Sequence, residues 1–248
     1  MKNIKQQLRL LFSPSDRFAL KKTREIMSGL DLAEWNKIYW QCNATETVYR
    51  TLNGEQKIGG AKKYLNLPHF LPFNIKRYHS LRLPNKALAI ADLGCGAGYF
   101  AYYAMLNGHF VLALDREQSS DHFDSQGHLA FDLMTNFFKI HKIKHTILPF
   151  QPLAEEVSQL DLITGFNTWF DGKYEANRTY VPWALEEWRF FISDCKTRLR
   201  PKGRIHLELN EKWEIQKNYY HIPDLRSIFE ELGFKINTFS HGVIDVNI

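Results

Sequence analysis

The stretch Ala87-Leu88-Ala89-Ile90-Ala91-Asp92-Leu93-Gly94-Cys95-Gly96-Ala97-Gly98-Tyr99-Phe100 decides how the chain is read. Ala87 to Ala91 is a short continuous apolar run, the pattern of a strand buried on both faces of a parallel sheet. It ends in Asp92 and a glycine cluster, and a helix is predicted from Tyr99 to Leu106, stopped by Asn107-Gly108. Gly94 and Gly96 permit backbone conformations and a close ligand approach that a Cβ would obstruct. The dinucleotide fingerprint is Gly-x-Gly-x-x-Gly, with a pyrophosphate on the helix N-terminus. Here the third glycine comes one residue early and Asp92 precedes the first. A carboxylate at that place repels a pyrophosphate but accepts hydrogen bonds from an ammonium group. The loop therefore favours a cofactor that carries an amino acid over NAD. His109 to Leu114 is a second buried-strand pattern and ends in Asp115, 21 residues after Gly94. A carboxylate there can accept both hydroxyls of a ribose. Arg116 beside it keeps open a phosphorylated ribose, as in NADP.

Outward from this stretch, strands alternate with helices. Helices are predicted over Leu129–Ile140, Pro182–Leu199 and Pro223–Leu232, and strands over Ile143–Phe150, Leu160–Phe166 and Arg204–Leu209. Arg200-Pro201-Lys202-Gly203 is the turn into the last of these. Phe234–Phe239 and Val243–Ile248 are close enough to pair as an antiparallel hairpin. Alternation of this kind means βαβ units and a parallel sheet with right-handed crossovers. Upstream of Leu83-Pro84-Asn85-Lys86 the rhythm differs. Ile4, Leu8 and Leu11 lie at helical spacing, Ser13-Pro14-Ser15-Asp16 offers an N-cap for a second helix through Leu20 and Ile26, and a third runs from Asp31 to about Tyr39. Leu52 to Pro72 is rich in turn signals.

From Asp92 to the C-terminus the sequence resembles the class I, Rossmann-like S-adenosylmethionine (SAM)-dependent methyltransferases. Asp92 to Gly98 matches their first motif, and Asp115 the acidic residue after their second strand. Asp161-Leu162-Ile163-Thr164-Gly165-Phe166-Asn167 looks like their fourth-strand motif. Leu199-Arg200-Pro201-Lys202-Gly203-Arg204 is similar to the Leu-x-Pro-Gly-Gly turn before their fifth strand, with Lys202 in place of a glycine. The resemblance covers about residues 85–248. It implies an α/β fold with a doubly wound, seven-stranded, mostly parallel sheet and a terminal antiparallel hairpin. Residues 1–84 are expected to form a basic, mostly helical extension that caps the sheet or binds substrate. The resemblance also implies the site: Gly94, Gly96 and Gly98 cradle the methionine part with Asp92 nearby, Asp115 holds the ribose, and Phe150 lies beside the adenine. Asn167 lines the cleft where the methyl group is delivered.

The accepting atom is less legible. Amino-group methyltransferases often carry Asn-Pro-Pro-Tyr after the fourth strand, whereas this chain has Asn167-Thr168-Trp169-Phe170. Oxygen is the expected acceptor. Asp171, His79, His206 and His221 are each of a type that could act as base. None stands out, and His206, between Ile205 and Leu207, is expected to be a satisfied core histidine. Trp183, Trp188, Phe190 and Phe191, on or next to the long helix, are read first as core and second as acceptor contacts. No His, Cys, Asp or Glu spacing fits a metal.

Hydrophobic residues make up 44% and charged residues 24% of the 248, which excludes wholesale disorder and collagen-like repeats. The three cysteines, Cys42, Cys95 and Cys195, are too few and too scattered for a disulfide framework and fit a reducing cytoplasm. The longest uncharged apolar run, Tyr99 to Leu106, is far short of the ~20 residues of a spanning helix. Residues 1–84 carry 15 Lys/Arg against 6 Asp/Glu, a net of +9, and residues 85–248 carry 17 against 21, a net of −4. The favoured function is transfer of a methyl group to a small-molecule, glycan or lipid-linked acceptor, with an anionic one suiting the basic segment. Two alternatives stand beside it: an RNA or DNA methyltransferase using residues 1–84 as a basic arm, and a SAM-binding protein without catalysis.

Overall fold

The computed structural model describes residues 13–43, 47–50, 56–59, 64–116, 130–168, 173–174, 180–181, 183–209, 222–240 and 242–248. The chain divides into two compact units. One comprises Met1–Asn85, Gly96–Asn107 and Gln118–Ile140, the other Lys86–Cys95, Gly108–Glu117 and His141–Ile248.

In the first unit, helix α1 (Pro14–Ser28) starts where its cap predicts: the Ser13 hydroxyl accepts the Asp16 N–H, and Pro14 occupies the first turn. Its fully buried positions are Ala19 and Thr23, with Ile26 partly buried, so the inward stripe differs from the expected Leu20–Ile26 line. Helix α2 (Leu32–Asn43) runs past the expected end at Tyr39. Strands β1 (Thr47–Arg50) and β2 (Gln56–Gly59) pair antiparallel. Helix α3 (Leu67–Ser80) corrects the reading of the stretch to Pro72 as turn-rich: Pro68 sits in the first turn, where a missing N–H costs nothing, and Pro72 is carried inside the helix. Helix α4 (Tyr99–Leu106) has the predicted bounds and buries Tyr99, Phe100, Ala101, Tyr103 and Ala104. A helix apolar on all sides has to be enclosed. Helix α5 (Ala130–Phe137) ends before Ile140. Ala19, Ile75 and Tyr103 form an apolar cluster, and the Asp16–Lys76 ion pair, 2.8 Å, joins α1 to α3. The Trp35 ring packs on Phe137 and Phe138 while its Nε1 donates to the Leu65 carbonyl. The helix expected over Ile4 to Leu11 lies outside the described residues.

The second unit holds the sheet. Its strands are β3 (Ala89–Leu93), β4 (Phe110–Asp115), β5 (Lys142–Lys144), β6 (Leu160–Thr168), β9 (Leu199–Leu209), β10 (Lys235–Ser240) and β11 (Val243–Asn247). Their order is β10-β11-β9-β6-β3-β4-β5. The β5-β4-β3-β6-β9 pairs are parallel, and β11 is antiparallel to both β9 and β10. This is the expected seven-stranded, mostly parallel sheet with a terminal antiparallel hairpin. A short pair, β7 (Lys173–Tyr174) and β8 (Tyr180–Val181), stands apart. Helices α6 (Leu185–Arg198) and α7 (Ile222–Glu231) cover one face, with Phe191, Ile192 and Phe229 packed in one core with Leu93, Ile163 and Leu207.

Several expected bounds shift. Strand β3 runs two residues later than predicted, so Asp92 lies inside it. Strand β5 has three residues instead of eight. The following segment takes its partners from α6: the Arg198 guanidinium donates to the Leu153, Ala154 and Val157 carbonyls, and Asp194 accepts the Leu153 N–H. Arg200 to Gly203 is an excursion within β9, since Leu199 pairs with Leu160 and Arg204 with Leu162.

Gly98 shows why one of the loop glycines is needed. Its φ is +78°, and a Cβ there would stand 2.5 Å from Ile140 Cδ1 and 3.1 Å from Thr135 Cγ2. A left-handed residue with a side chain costs roughly 1–2 kcal/mol and overpacking about 1–3 kcal/mol more. Gly98→Ala is expected to lower the unfolding free energy by at least about 2 kcal/mol in urea denaturation without any ligand present. An unchanged midpoint would show that packing does not require this glycine.

Candidate functional site

The strand registers bring the carboxyl ends to one edge. Leu93 pairs with Leu114 of β4 and Gly165 of β6, and Gly165 pairs with Leu207 of β9. Open α/β sheets take ligands outside that edge. Asp92 is 2% exposed, and its Oδ1 accepts the Thr164 hydroxyl at 3.0 Å. A buried carboxylate needs such donors, because desolvating it unpaired is prohibitive. Asp115 closes β4 half-buried; its Oδ1 accepts the Arg116 N–H at 2.8 Å, and its carbonyl accepts the His145 N–H at 2.8 Å. Gly94 has φ +67°, and the next N–H, of Cys95, donates to the Leu114 carbonyl. A Cβ on Gly94 would lie 3.0 Å from the Thr168 side chain, whose hydroxyl donates to the Leu93 carbonyl.

Two positions correct their expected settings. Asn167 lies within β6, at a register shift between Phe166 and Thr168, with φ +53° and an exposed side chain. Phe150 is not at a strand end: it sits in a turn with φ +56°, largely exposed, its ring edge-on to Phe190 at 5.9 Å.

In the first unit the loop continues through Gly96 and Gly98. Gly98 is the left-handed N-cap of α4, and its carbonyl accepts the Tyr102 N–H. Gly96 also has φ positive, +54°, but among the described residues a Cβ on it would meet nothing nearer than the Phe131 ring, at 3.8 Å. The two glycines thus do different work: one is demanded by packing, the other leaves room.

His206 is buried, as expected, but it is not a satisfied core histidine. Its Nδ1 lies 3.1 Å from Asp245 Oδ2; since a carboxylate only accepts, Nδ1 carries the proton. Its Nε2 makes no hydrogen bond among the described residues and faces Glu208 Oε1 at 3.9 Å. Asp245 also accepts Arg204 Nε at 2.8 Å, Arg204 Nη2 and Asn237 Nδ2 at 3.0 Å. Burial disfavours the charged imidazole, but the Asp245 hydrogen bond and the Glu208 carboxylate outweigh it and hold the His206 pKa above its ordinary value. Burial also opposes ionisation of Asp245, yet its bonds from His206, Arg204 and Asn237 hold its pKa well below the carboxylate range. Sequence reading passed over Thr164, Thr168, Arg204, Glu208 and Asp245. The signal was present in the alternation of Arg204, His206 and Glu208 with Ile205, Leu207 and Leu209.

Of the other expected candidates, Trp183, Trp188 and Phe191 are core residues. His79 Nε2 lies 3.0 Å from the Tyr103 hydroxyl, within the first unit. Asp171 and His221 are outside the described residues. Among the described residues no group of three or more His, Cys, Asp or Glu is placed to hold a metal, and no helix is long and apolar enough to cross a membrane.

No family model and no curated protein matches the chain. Solved structures similar to it include a TehB-like SAM-dependent methyltransferase from Corynebacterium glutamicum, at 17% identity over 69% of this chain and 84% of that one, TM-score 0.46. A SAM-dependent methyltransferase from Mesorhizobium loti is 13% identical over 71% of this chain and 98% of that one, TM-score 0.45. The pyocyanin biosynthetic protein PhzM is 12% identical over 75% and 58%, TM-score 0.48.

The raised His206 pKa carries a stability prediction with a definite sign. Its contribution is complete below the unfolded value, about 6.5, and is lost as pH rises through the folded value. The melting-temperature gap between wild type and His206→Gln is expected to be widest near pH 5.5 and to shrink by pH 9. A gap that does not vary with pH would mean that folding leaves the His206 pKa unshifted, and a gap that widens with rising pH would mean that the pKa is lowered.

Proposed function

We propose that the protein is a SAM-dependent methyltransferase acting on oxygen of a small-molecule, glycan or lipid-linked acceptor. The observation that carries this reading is the turn that leaves β3: a buried Asp92, a left-handed Gly94, and a Gly96 whose Cβ, among the described residues, would meet nothing nearer than the Phe131 ring at 3.8 Å. Asp115 ends the neighbouring strand β4. The residues fit the cofactor. A loop without side chains admits the methionine part close to the backbone, and Asp92 supplies negative charge toward its ammonium. Asp115, oriented by the Arg116 N–H, accepts the ribose diol. The left-handed turn presents Phe150 as an exposed ring suited to a purine face. Asn167, held out of the ladder by the bulge, is assigned to the acceptor side of the same edge.

When bound, SAM supplies a methyl group on a sulfonium, already activated for displacement. What the chain must add is orientation, exclusion of water and a place for the acceptor's proton. Oxygen is preferred because the segment from Asn167 lacks the two prolines associated with amino-group transfer. The net charge of +9 over residues 1–84 supports an anionic acceptor. That segment shares its apolar cluster with Tyr103 of α4, so a deletion to residue 80 would strip α4 of its packing. Charge reversal at exposed lysines of α1 is the cleaner probe of its role.

Calorimetry tests the cofactor directly. SAM and its demethylated product are expected to bind with comparable affinity and NAD not to bind; binding of NAD alone would end this reading. In a folded Asp115→Ala variant, SAM binding is expected to weaken by about 1–3 kcal/mol, the scale of a lost hydrogen bond to a charged group. Gly96→Val is expected to abolish it, because φ +54° is closed to a β-branched residue. Labelled SAM, offered with pooled metabolites, glycan precursors and RNA, identifies the acceptor class.

A further inference from the structure

The second unit holds a buried polar network that, beyond Asp92, has no part in cofactor binding as assigned above. Across one face of the sheet, Asp92 is in register with Thr164, Thr164 with His206, and His206 with Asp245. The Asp245 end is saturated by Arg204, Asn237 and His206. The other end of the imidazole is not: Nε2 is buried, makes no hydrogen bond among the described residues, and is turned toward Glu208. Glu208 is the last residue of this face before β9 ends, in register with Phe166 of β6, one residue before the bulged Asn167. Its side chain is 25% exposed, against 9% for His206 and for Asp245. The network therefore runs from a sealed carboxylate, through an imidazole, to a carboxylate that reaches the ligand-bearing edge.

We propose that Glu208 receives the proton of the acceptor hydroxyl during methyl transfer, with His206 and Asp245 as the positioning pair that holds it. This rests on the methyltransferase reading and deepens it. As the acceptor oxygen's lone pair forms the bond to the methyl carbon, the carbon–sulfur pair stays on sulfur and the hydroxyl proton passes to Glu208, which then releases it to water. Bond formation makes that proton strongly acidic, so an ordinary carboxylate is base enough. The imidazole supplies what the carboxylate needs at a half-buried site. Asp245 fixes the ring with its proton on Nδ1, and the second ring nitrogen offers Glu208 a proton whenever the ring is charged. The groups that face the ring are Asp245 on β11 and Glu208 and Arg204 on β9, with Asp92 on β3 reached only through Thr164. The polar row thus separates cofactor charge at Asp92 from acceptor chemistry at Glu208 within one sheet face.

The test uses the full chain, labelled SAM, and the same pools of metabolites, glycan precursors and RNA. Glu208→Gln is expected to bind SAM within about twofold of wild type while label transfer falls about 100-fold or more, the scale of a lost general base. Glu208→Asp is expected to recover a substantial part of that loss. His206→Gln is expected to fall to an intermediate rate and to add little to Glu208→Gln. A second readout needs no cofactor: in ring-labelled protein, the NMR titration midpoint of His206 is expected to drop in Glu208→Gln. Transfer at the wild-type rate by Glu208→Gln, or an unmoved His206 midpoint, would overturn the proposal. Failure of the wild-type chain to bind SAM would instead overturn the reading beneath it, while the titration still reports on the coupling of His206 to Glu208.

Discussion

Side chains alternate strictly between the two faces of a strand, and everything in the second unit follows from how that alternation is registered across β3, β6, β9 and β11. Ala91, Ile163, Ile205 and Val246 fall on the face that joins the core with α6 and α7. Asp92, Thr164, His206 and Asp245 fall on the other. A slip of one residue in any of these pairings would turn apolar side chains out of the core and bury charge in their place. Fully burying one such aliphatic side chain stabilises by roughly 1.5–3 kcal/mol, so several strands acting together leave little room for alternative registers. The polar row adds to this selection, because the observed register sets Thr164 against Asp92 and His206 against Asp245 as hydrogen-bond partners.

A buried carboxylate is tolerated here because its donors come from two other strands at once. Asp245 takes a forked guanidinium from β9, an imidazole N–H from the same strand and an amide from β10. Buried ion pairs often cost as much in desolvation as they return in attraction. The network is therefore not explained as a device for stability alone. A saturated Asp245 next to an imidazole with one nitrogen unbonded among the described residues is an arrangement with direction, strong at the sealed end and facing Glu208 at the other.

Much of the fold was legible in the sequence because it rests on local signals. The glycine cluster after an apolar run, the Ser13-Pro14 cap and the unbroken apolar face of α4 each act within a few residues, and their elements formed close to the expected bounds. The misreadings occurred where long-range contacts decide. Pro72 looked like a breaker but lies inside α3. The segment after β5 looked like strand, yet its carbonyls are taken by Arg198, some 40 residues away in sequence. The loop residues of the candidate site were visible for the same reason as the fold. Asp245 was not, since nothing in its own neighbourhood shows that β11 runs beside β9 and sets a carboxylate against His206.

The left-handed residues sharpen the distinction between turns that merely connect and turns that present something. Gly98 is left-handed because Ile140 and Thr135 fill the space where a side chain would go. Asn167 and Phe150 have side chains and are left-handed all the same. Asparagine visits this region comparatively readily, but for phenylalanine it costs roughly 1–2 kcal/mol. Such strain persists only where surrounding structure over-determines it. At Asn167 the determinants are visible: Thr168 is fixed by its bond to the Leu93 carbonyl, and β9 pairs with Phe166 and Thr168 on either side, so the residue between them must bulge. At Phe150 the neighbouring segment is pinned by Arg198 and Asp194, which leaves the turn to absorb the change of direction and sends the ring outward. Both side chains are thus set outward by partners fixed on either side of them, so the strain of each turn is balanced by contacts made elsewhere in the chain.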